Sequence, residues 1–271
     1  MRAQTSLISI LVAGAATALL LAGWNGGLAA PTAPTVLADR SPNAVPVDSE
    51  LVIAVDVSYS MDPEEQALQR EGYITGLTSR EFMSALRDGI NGRIAVTYFE
   101  WADLYNQKII VPWRLIDGPE SADAVANEIA SAPYRRAQRT SIYGALQFAK
   151  PLFDVSGFNG LRRVIDISGD GKNNMGPPVR FMRDEVLAAG ITINGLPIMM
   201  KRPSGSSSDA NLDIYYEDCV IGGRGSFMIA IQTREQFKDA TRTKLVLEIA
   251  GRTPARRIIP AQERVPRITC S

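Results

Sequence analysis

The sequence predicts an α/β fold: a doubly wound, mainly parallel sheet with one antiparallel edge strand. Three observations lead there. Apolar runs of strand length, such as residues 51–57 (LVIAVDV) and 161–168 (LRRVIDIS), lack the clean alternation of a sheet wetted on one face. Segments of helical period separate most of these runs, as in parallel strands joined by crossover helices. Residues 93–101 and 108–115 lie only a short turn apart, which predicts an antiparallel hairpin, and Pro112 suits a sheet edge.

Composition narrows the chemistry. The chain has 271 residues, 45% of them hydrophobic, enough to fill a core and to exclude a disordered or collagen-like chain. It has no histidine, which removes Ser-His-Asp and Cys-His catalysis and the HExxH zinc site. Two cysteines are too few for a Cys-rich structural zinc site. The 29 basic residues balance 29 acidic ones, so no net field draws the chain to nucleic acid.

The N-terminus has the order of an export signal. Arg2 precedes an apolar run over residues 7–22, and the small residues GGLAA follow. Cleavage is expected near Ala29, giving a signal peptide over 1–29. The alternative is an N-terminal membrane anchor, although the run falls short of the roughly 20 residues that span a bilayer. Export to the periplasm or beyond puts the chain in an oxidising compartment, where Cys219 and Cys270 are expected to pair. Closing that loop of about 50 residues contributes roughly 4 kcal/mol in the chain-entropy model.

Residues 30–48 carry Pro31, Pro34, Pro42 and Pro46 and read as an extended spacer. One domain over 49–271 follows. Its first strand is 51–57. Asp62, Pro63 and Glu65 then form a helix start as N-cap, N1 and N3. Thr78 with Glu81 reads as a second capping box. After the hairpin come helices at 122–130 and 142–152, a strand at 161–168, a helix at 179–189 and a strand at 191–199. Residues 204–208 (SGSSS) read as a mobile loop, 226–231 as a last strand and 236–250 as a last helix.

In an open α/β sheet, ligands bind beyond the carboxyl ends of the strands. Oxygen-bearing side chains gather at three such places: Asp56, Ser58 and Ser60 after the first strand, Thr140 before a helix, and Asp170-Gly171 after the strand at 161–168. Hydroxyls and carboxylates suit a hard divalent cation, Mg²⁺ or else Ca²⁺ or Mn²⁺. Asp166 stands in an apolar strand and needs a partner. It either supports the metal loop from behind or pairs with a basic residue such as Arg163. Asn173 and Asn174 read as left-handed turn residues, and Arg135, Arg136 and Arg139 as a solvated face. The nucleotide motif GxGxxG fails at Asn174, no GxxxxGK[ST] occurs, and Ser58 breaks the DxD of haloacid-dehalogenase phosphatases.

This pattern resembles the von Willebrand factor A domain with its metal-ion-dependent adhesion site. The DxSxS element stands as Asp56, Ser58 and Ser60. Thr140 with Ile142, Ala145 and Leu146 is similar to the second element, and Asp170-Gly171 to the third. More narrowly, SGDGKNN and the segment GGRGSFMIAI…F…KLVLEIAG are similar to an exported bacterial family, domain of unknown function 1194. The first resemblance implies a Rossmann-like sheet of A-domain type. It also implies metal ligation by Ser58, Ser60 and Thr140 directly or through water, with Asp56 and Asp170 acting mostly through water. It further implies a partner, protein or polymer, that supplies a carboxylate. The expected function is therefore metal-dependent binding, not catalysis. Alternatives are a metal-dependent hydrolase or phosphoryl-transfer enzyme, or a structural envelope module with a relic site.

Overall fold

The computed structural model describes residues 43–200, 211–251, 268 and 270. The predicted signal, the spacer up to residue 42 and the SGSSS loop lie outside the described residues. Five strands form the main sheet: β2 (Glu50–Asp56), β3 (Ile94–Trp101), β4 (Gln107–Ile116), β6 (Arg163–Gly169) and β7 (Thr192–Pro197). Their order is β4-β3-β2-β6-β7, parallel throughout except for the β3–β4 pair at the edge. Pro112 is exposed on β4, where the register with β3 shifts.

Helices cover both faces because alternate residues of each strand point to opposite sides. Leu51, Ile53 and Val55 of β2 enter one core with α1 (Pro63–Leu77), α2 (Arg80–Arg87), α3 (Pro119–Ser131) and α7 (Phe237–Ala250). Val52 and Ala54 enter the other with α4 (Ile142–Ala149), α5 (Val179–Ala188) and α6 (Leu212–Tyr215). Both faces of β2 are therefore dry, which explains its unbroken apolar run. Among the described residues, no helix is long and apolar enough to cross a membrane.

Helix starts follow local chemistry. Asp62 accepts from the Glu65 amide, and the Glu65 carboxylate accepts from the Asp62 amide, each at 2.8 Å, so the expected capping box is present. The second helix starts one residue later than expected. Thr78 closes α1 by donating its hydroxyl to the Ile74 carbonyl, and Ser79 caps α2 by accepting from the Phe82 amide at 3.1 Å. Pro151 removes a helical N–H, so α4 ends at Ala149 and a 3₁₀ segment follows.

Three departures concern strands. Val45–Val47, inside the expected spacer, forms β1 and pairs in parallel with β5 (Phe158–Gly160). Buried Glu50 fixes this side sheet by accepting from the Gly160 amide and the Ser156 hydroxyl, both at 2.8 Å. Residues 226–231 form no ladder strand; Met228 and Ile231 make only isolated bridges to Gly195 and Ile198. Here the Phe227 amide donates to the Asn194 side chain at 3.0 Å, a bond that takes it out of any ladder. Finally, a π-helical turn, Tyr216–Val220, follows α6 and carries Cys219, which is bonded to Cys270.

Candidate metal centre

The chain passes from β2 outward to β3 and β4, then returns to the other side of β2 as β6. The strand order reverses between β2 and β6, and the carboxyl ends of these two strands carry Asp56 and Asp170. The loop ahead of α4 closes over the same point and supplies Thr140.

Hydrogen bonds join the three segments. The Tyr59 amide donates to the Ala137 carbonyl at 2.8 Å, and the Ala137 amide to the Val57 carbonyl at 3.1 Å. Asn174 binds Thr140 twice: its amide donates to the Thr140 carbonyl at 2.8 Å, and its side-chain oxygen accepts from the Thr140 amide at 2.9 Å. Asn173 accepts from the Tyr143 amide at 3.0 Å. The two asparagines therefore lace the Asp170 loop to the start of α4 and do not adopt left-handed backbone. Among the described residues the only non-glycine with positive φ is Arg139, at 67°, directly before Thr140. Such a backbone costs about 1 kcal/mol or more and persists because its surroundings hold it.

Within this frame the five expected oxygen-bearing side chains come together. The Ser58 and Ser60 hydroxyls are 2.7 Å apart, and Ser60 donates to Asp170 Oδ1 at 2.5 Å. Thr140 Oγ1 reaches Ser58 Oγ at 3.4 Å. Asp56 Oδ1 accepts from the Ser58 amide at 2.7 Å, which fixes the turn. Thr140 is not the helix cap. Ser141 fills that position, accepting from the Gly144 amide at 3.1 Å, so the Thr140 hydroxyl is left to the cluster.

Two acids share this cluster. Asp56 is fully buried, and burial together with the nearby charge of Asp170 pushes its carboxyl up to about 8. Its Oδ2 has no hydrogen-bond partner among the described residues. Gly169 leaves the space beside it open, since a Cβ there would stand 2.8 Å from Asp56 Oδ2 and 3.0 Å from the Tyr216 hydroxyl. Among the described residues, no three His, Cys, Asp or Glu side chains gather as a metal-binding group. Hydroxyl groups make up three of the five oxygen-bearing side chains here. A hard cation fits this donor set and would relieve the repulsion between the two carboxylates.

Asp166 lies elsewhere. Its carboxylate is buried under α7, hydrogen-bonded to the Lys244 ammonium and, at 3.3 Å, to the Tyr73 hydroxyl. It pairs with a basic residue, as one expectation held, but that residue is Lys244. Arg163 turns instead to the Ala189 carbonyl at 2.7 Å. Nor are the arginines simply a solvated face. Arg135 donates to Asn106 at 2.6 Å, and Arg136 clasps the loop after β2 through the Tyr59 and Met61 carbonyls at 3.0 and 2.8 Å. Tyr216 is the site residue that sequence reasoning missed. Burial, then the Asp56 charge, drives its hydroxyl's ionisation far upward, and only the π turn after α6 brings it there.

Comparison with known proteins agrees with this architecture. The family model described as "Protein of unknown function (DUF1194)" matches residues 46–253. No curated protein sequence matches the chain. Among solved structures, proximal thread matrix protein 1 from the mussel byssus is 17% identical with a TM-score of 0.52, over 76% of this chain and 49% of that one. The pilus adhesin SpaC from Lactobacillus rhamnosus GG is 12% identical with a TM-score of 0.54, over 78% and 31%. The vWF domain of the type V pili tip protein Mfa5 from Porphyromonas gingivalis is 11% identical with a TM-score of 0.51, over 79% and 99%. The chain thus spans about half or less of the mussel and SpaC proteins, and at these identities the likeness establishes the fold alone. The fold is of von Willebrand factor A type, and the chain belongs to the DUF1194 family, proteins of unknown function.

Proposed function

We propose that this protein is an exported binding module that holds a divalent cation, Mg²⁺ or else Ca²⁺ or Mn²⁺, and through it an acidic group of a protein or polymer partner. Ser58, Ser60 and Thr140 would hold the ion, with Asp56 and Asp170 behind them. The observation that carries the reading is the convergence of two repelling carboxylates and three hydroxyls at the switch point of the sheet. When bound, the cation supplies concentrated positive charge to which a partner's carboxylate can attach.

The surroundings support an acidic partner. Tyr59 is 54% exposed beside the DxSxS turn, and the Arg136 guanidinium stacks 5.1 Å from its ring centre. Arg139 is exposed next to Thr140, and Lys172 follows the Asp170-Gly171 turn. This cationic rim attracts carboxylates and repels basic surfaces. Support also comes from the mussel matrix protein, which has been solved with a zinc-occupied MIDAS motif, and from the adhesin names of the pilus proteins. The Cys219–Cys270 bond suits an oxidising compartment.

The test is a peptide array probed with the purified protein in Mg²⁺ and in EDTA. Retention on peptides bearing Asp or Glu, lost in EDTA and lost in Asp170→Ala, is the expected result. Retention that ignores both chelator and acidic residues would overturn the reading.

A further inference from the structure

Behind the strand end that carries Asp56 lies a small, partly open chamber with a volume of about 10 Å³. Its walls come from the end of β2 (Val55 to Val57), from α1, from β3 and from the loop after α3. Six of its lining residues bring buried polar atoms that have no hydrogen-bond partner among the described residues: Asp56 Oδ2, which lies beside Gly169, and Gln66 Nε2, Gln69 Oε1, Tyr98 Oη, Glu100 Oε2 and Arg135 Nη1. Gln66, Gln69, Tyr98 and Glu100 are each at least nine-tenths buried.

Leaving Asp56 aside, five such atoms belong to residues around one small space. Each would cost about 1–3 kcal/mol if left unpaired. They are also complementary in kind. Gln66 Nε2 and Arg135 Nη1 are donors, Gln69 Oε1 and Glu100 Oε2 are acceptors, and the Tyr98 hydroxyl can act as either. A water molecule accepts two hydrogen bonds and donates two, and the room matches the roughly 10–15 Å³ that one water needs. The separation of Arg135 Nη1 from Glu100 Oε2, 3.8 Å, is too long for a direct hydrogen bond and is of the kind that a water bridges.

We propose that this chamber is a binding site for one structural water, held by Glu100 and up to three of Gln66, Gln69, Tyr98 and Arg135, which joins the arginine loop to α1 and β3 behind the Asp56 strand. The other half of Glu100 is already taken, since Oε1 accepts from Arg70 at 2.7 Å. Arg70 in turn donates to the Ala132 carbonyl at 2.5 Å and lies 4.1 Å from the centre of the Tyr134 ring. The water completes this arrangement by satisfying the second carboxylate oxygen and the Arg135 guanidinium together. The inference does not rest on a metal being bound in front of Asp56.

A crystal structure of the wild-type chain at high resolution tests the site. Expected is a well-ordered water within about 2.6–3.2 Å of Glu100 Oε2 and at least two of the other four atoms. An empty chamber, or amides turned to pair directly with Glu100, would overturn the proposal. The joining role is tested by hydrogen exchange in Gln69→Met, or in Tyr98→Phe should the first variant not fold. Exchange at the Tyr59 and Ala137 amides, which bridge the two loops, is expected to quicken several-fold. Unchanged exchange in the folded variant would remove that role.

Discussion

A methyl group on residue 169 would press against Asp56 Oδ2 and the Tyr216 hydroxyl at 2.8 and 3.0 Å, and both residues are fully buried. Gly169→Ala should therefore cost roughly 1–3 kcal/mol in urea unfolding, the usual range for overpacking. Tyr216→Phe should behave oppositely: its hydroxyl is buried with no partner among the described residues, so removing it should change stability by less than about 1 kcal/mol. Loss of the Ser141 cap in Ser141→Ala should cost about 1 kcal/mol, measured the same way. Asp56, Ser58, Ser60, Thr140 and Asp170 were legible in the sequence because their identities sit at fixed short spacings beside recognisable strands and helices. The division of labour between Thr140 and Ser141 was not, since either hydroxyl can cap a helix. Tyr216 was invisible because no local spacing connects a residue after α6 with the end of β2.

At the scale of elements, α7 is fastened to the sheet by charge. The Lys244 ammonium is fully buried between Asp166 of β6 and Glu248, with Glu248 Oε1 at 2.5 Å. Removing the cation in Lys244→Met leaves carboxylates buried without their counter-ion and should cost about 3–5 kcal/mol. The same cluster predicts a pH dependence. Burial, and then the charge of Asp166, raises the Glu248 carboxyl from 4.5 to about 7. The folded protein holds this proton where the unfolded chain has released it. The stability this group contributes is complete below about pH 4.5 and falls as pH rises to about 7. Glu248→Gln should flatten that slope in unfolding titrations; an unchanged slope would place its origin elsewhere. An apolar strand interrupted by Asp166 announced a buried partner, but the partner lies 78 residues away and sequence period could not select it. Local rules were surer. Asp62, Pro63 and Glu65 specify a helix start by themselves, whereas Thr78 and Ser79 are adjacent cap residues and the choice turned on how α1 ends. Residues 226–231 looked like a strand by composition, yet Asn194 draws off the Phe227 amide.

At the scale of the molecule, the order of apolar runs and helices was enough to read a mainly parallel sheet with a hairpin edge, because strands buried on both faces can be satisfied in few ways. The small side sheet was not readable, since three-residue strands carry too little pattern. The Cys219–Cys270 bond holds the tail to the π turn that carries Tyr216. Reducing it, or Cys270→Ser, should lower stability by roughly 4 kcal/mol in the chain-entropy model, read by denaturation with and without reductant.

At one point on the sheet, where β2 and β6 end, two acids face three hydroxyls. Isothermal titration calorimetry with Mg²⁺ tests this site most directly. The wild-type protein should bind one ion per chain, and Asp56→Ala and Ser60→Ala should show no heat beyond dilution while remaining folded by circular dichroism. Equal Mg²⁺ heats from the wild type and both variants, or none from the wild type with Mg²⁺, Ca²⁺ and Mn²⁺ alike, would contradict the account.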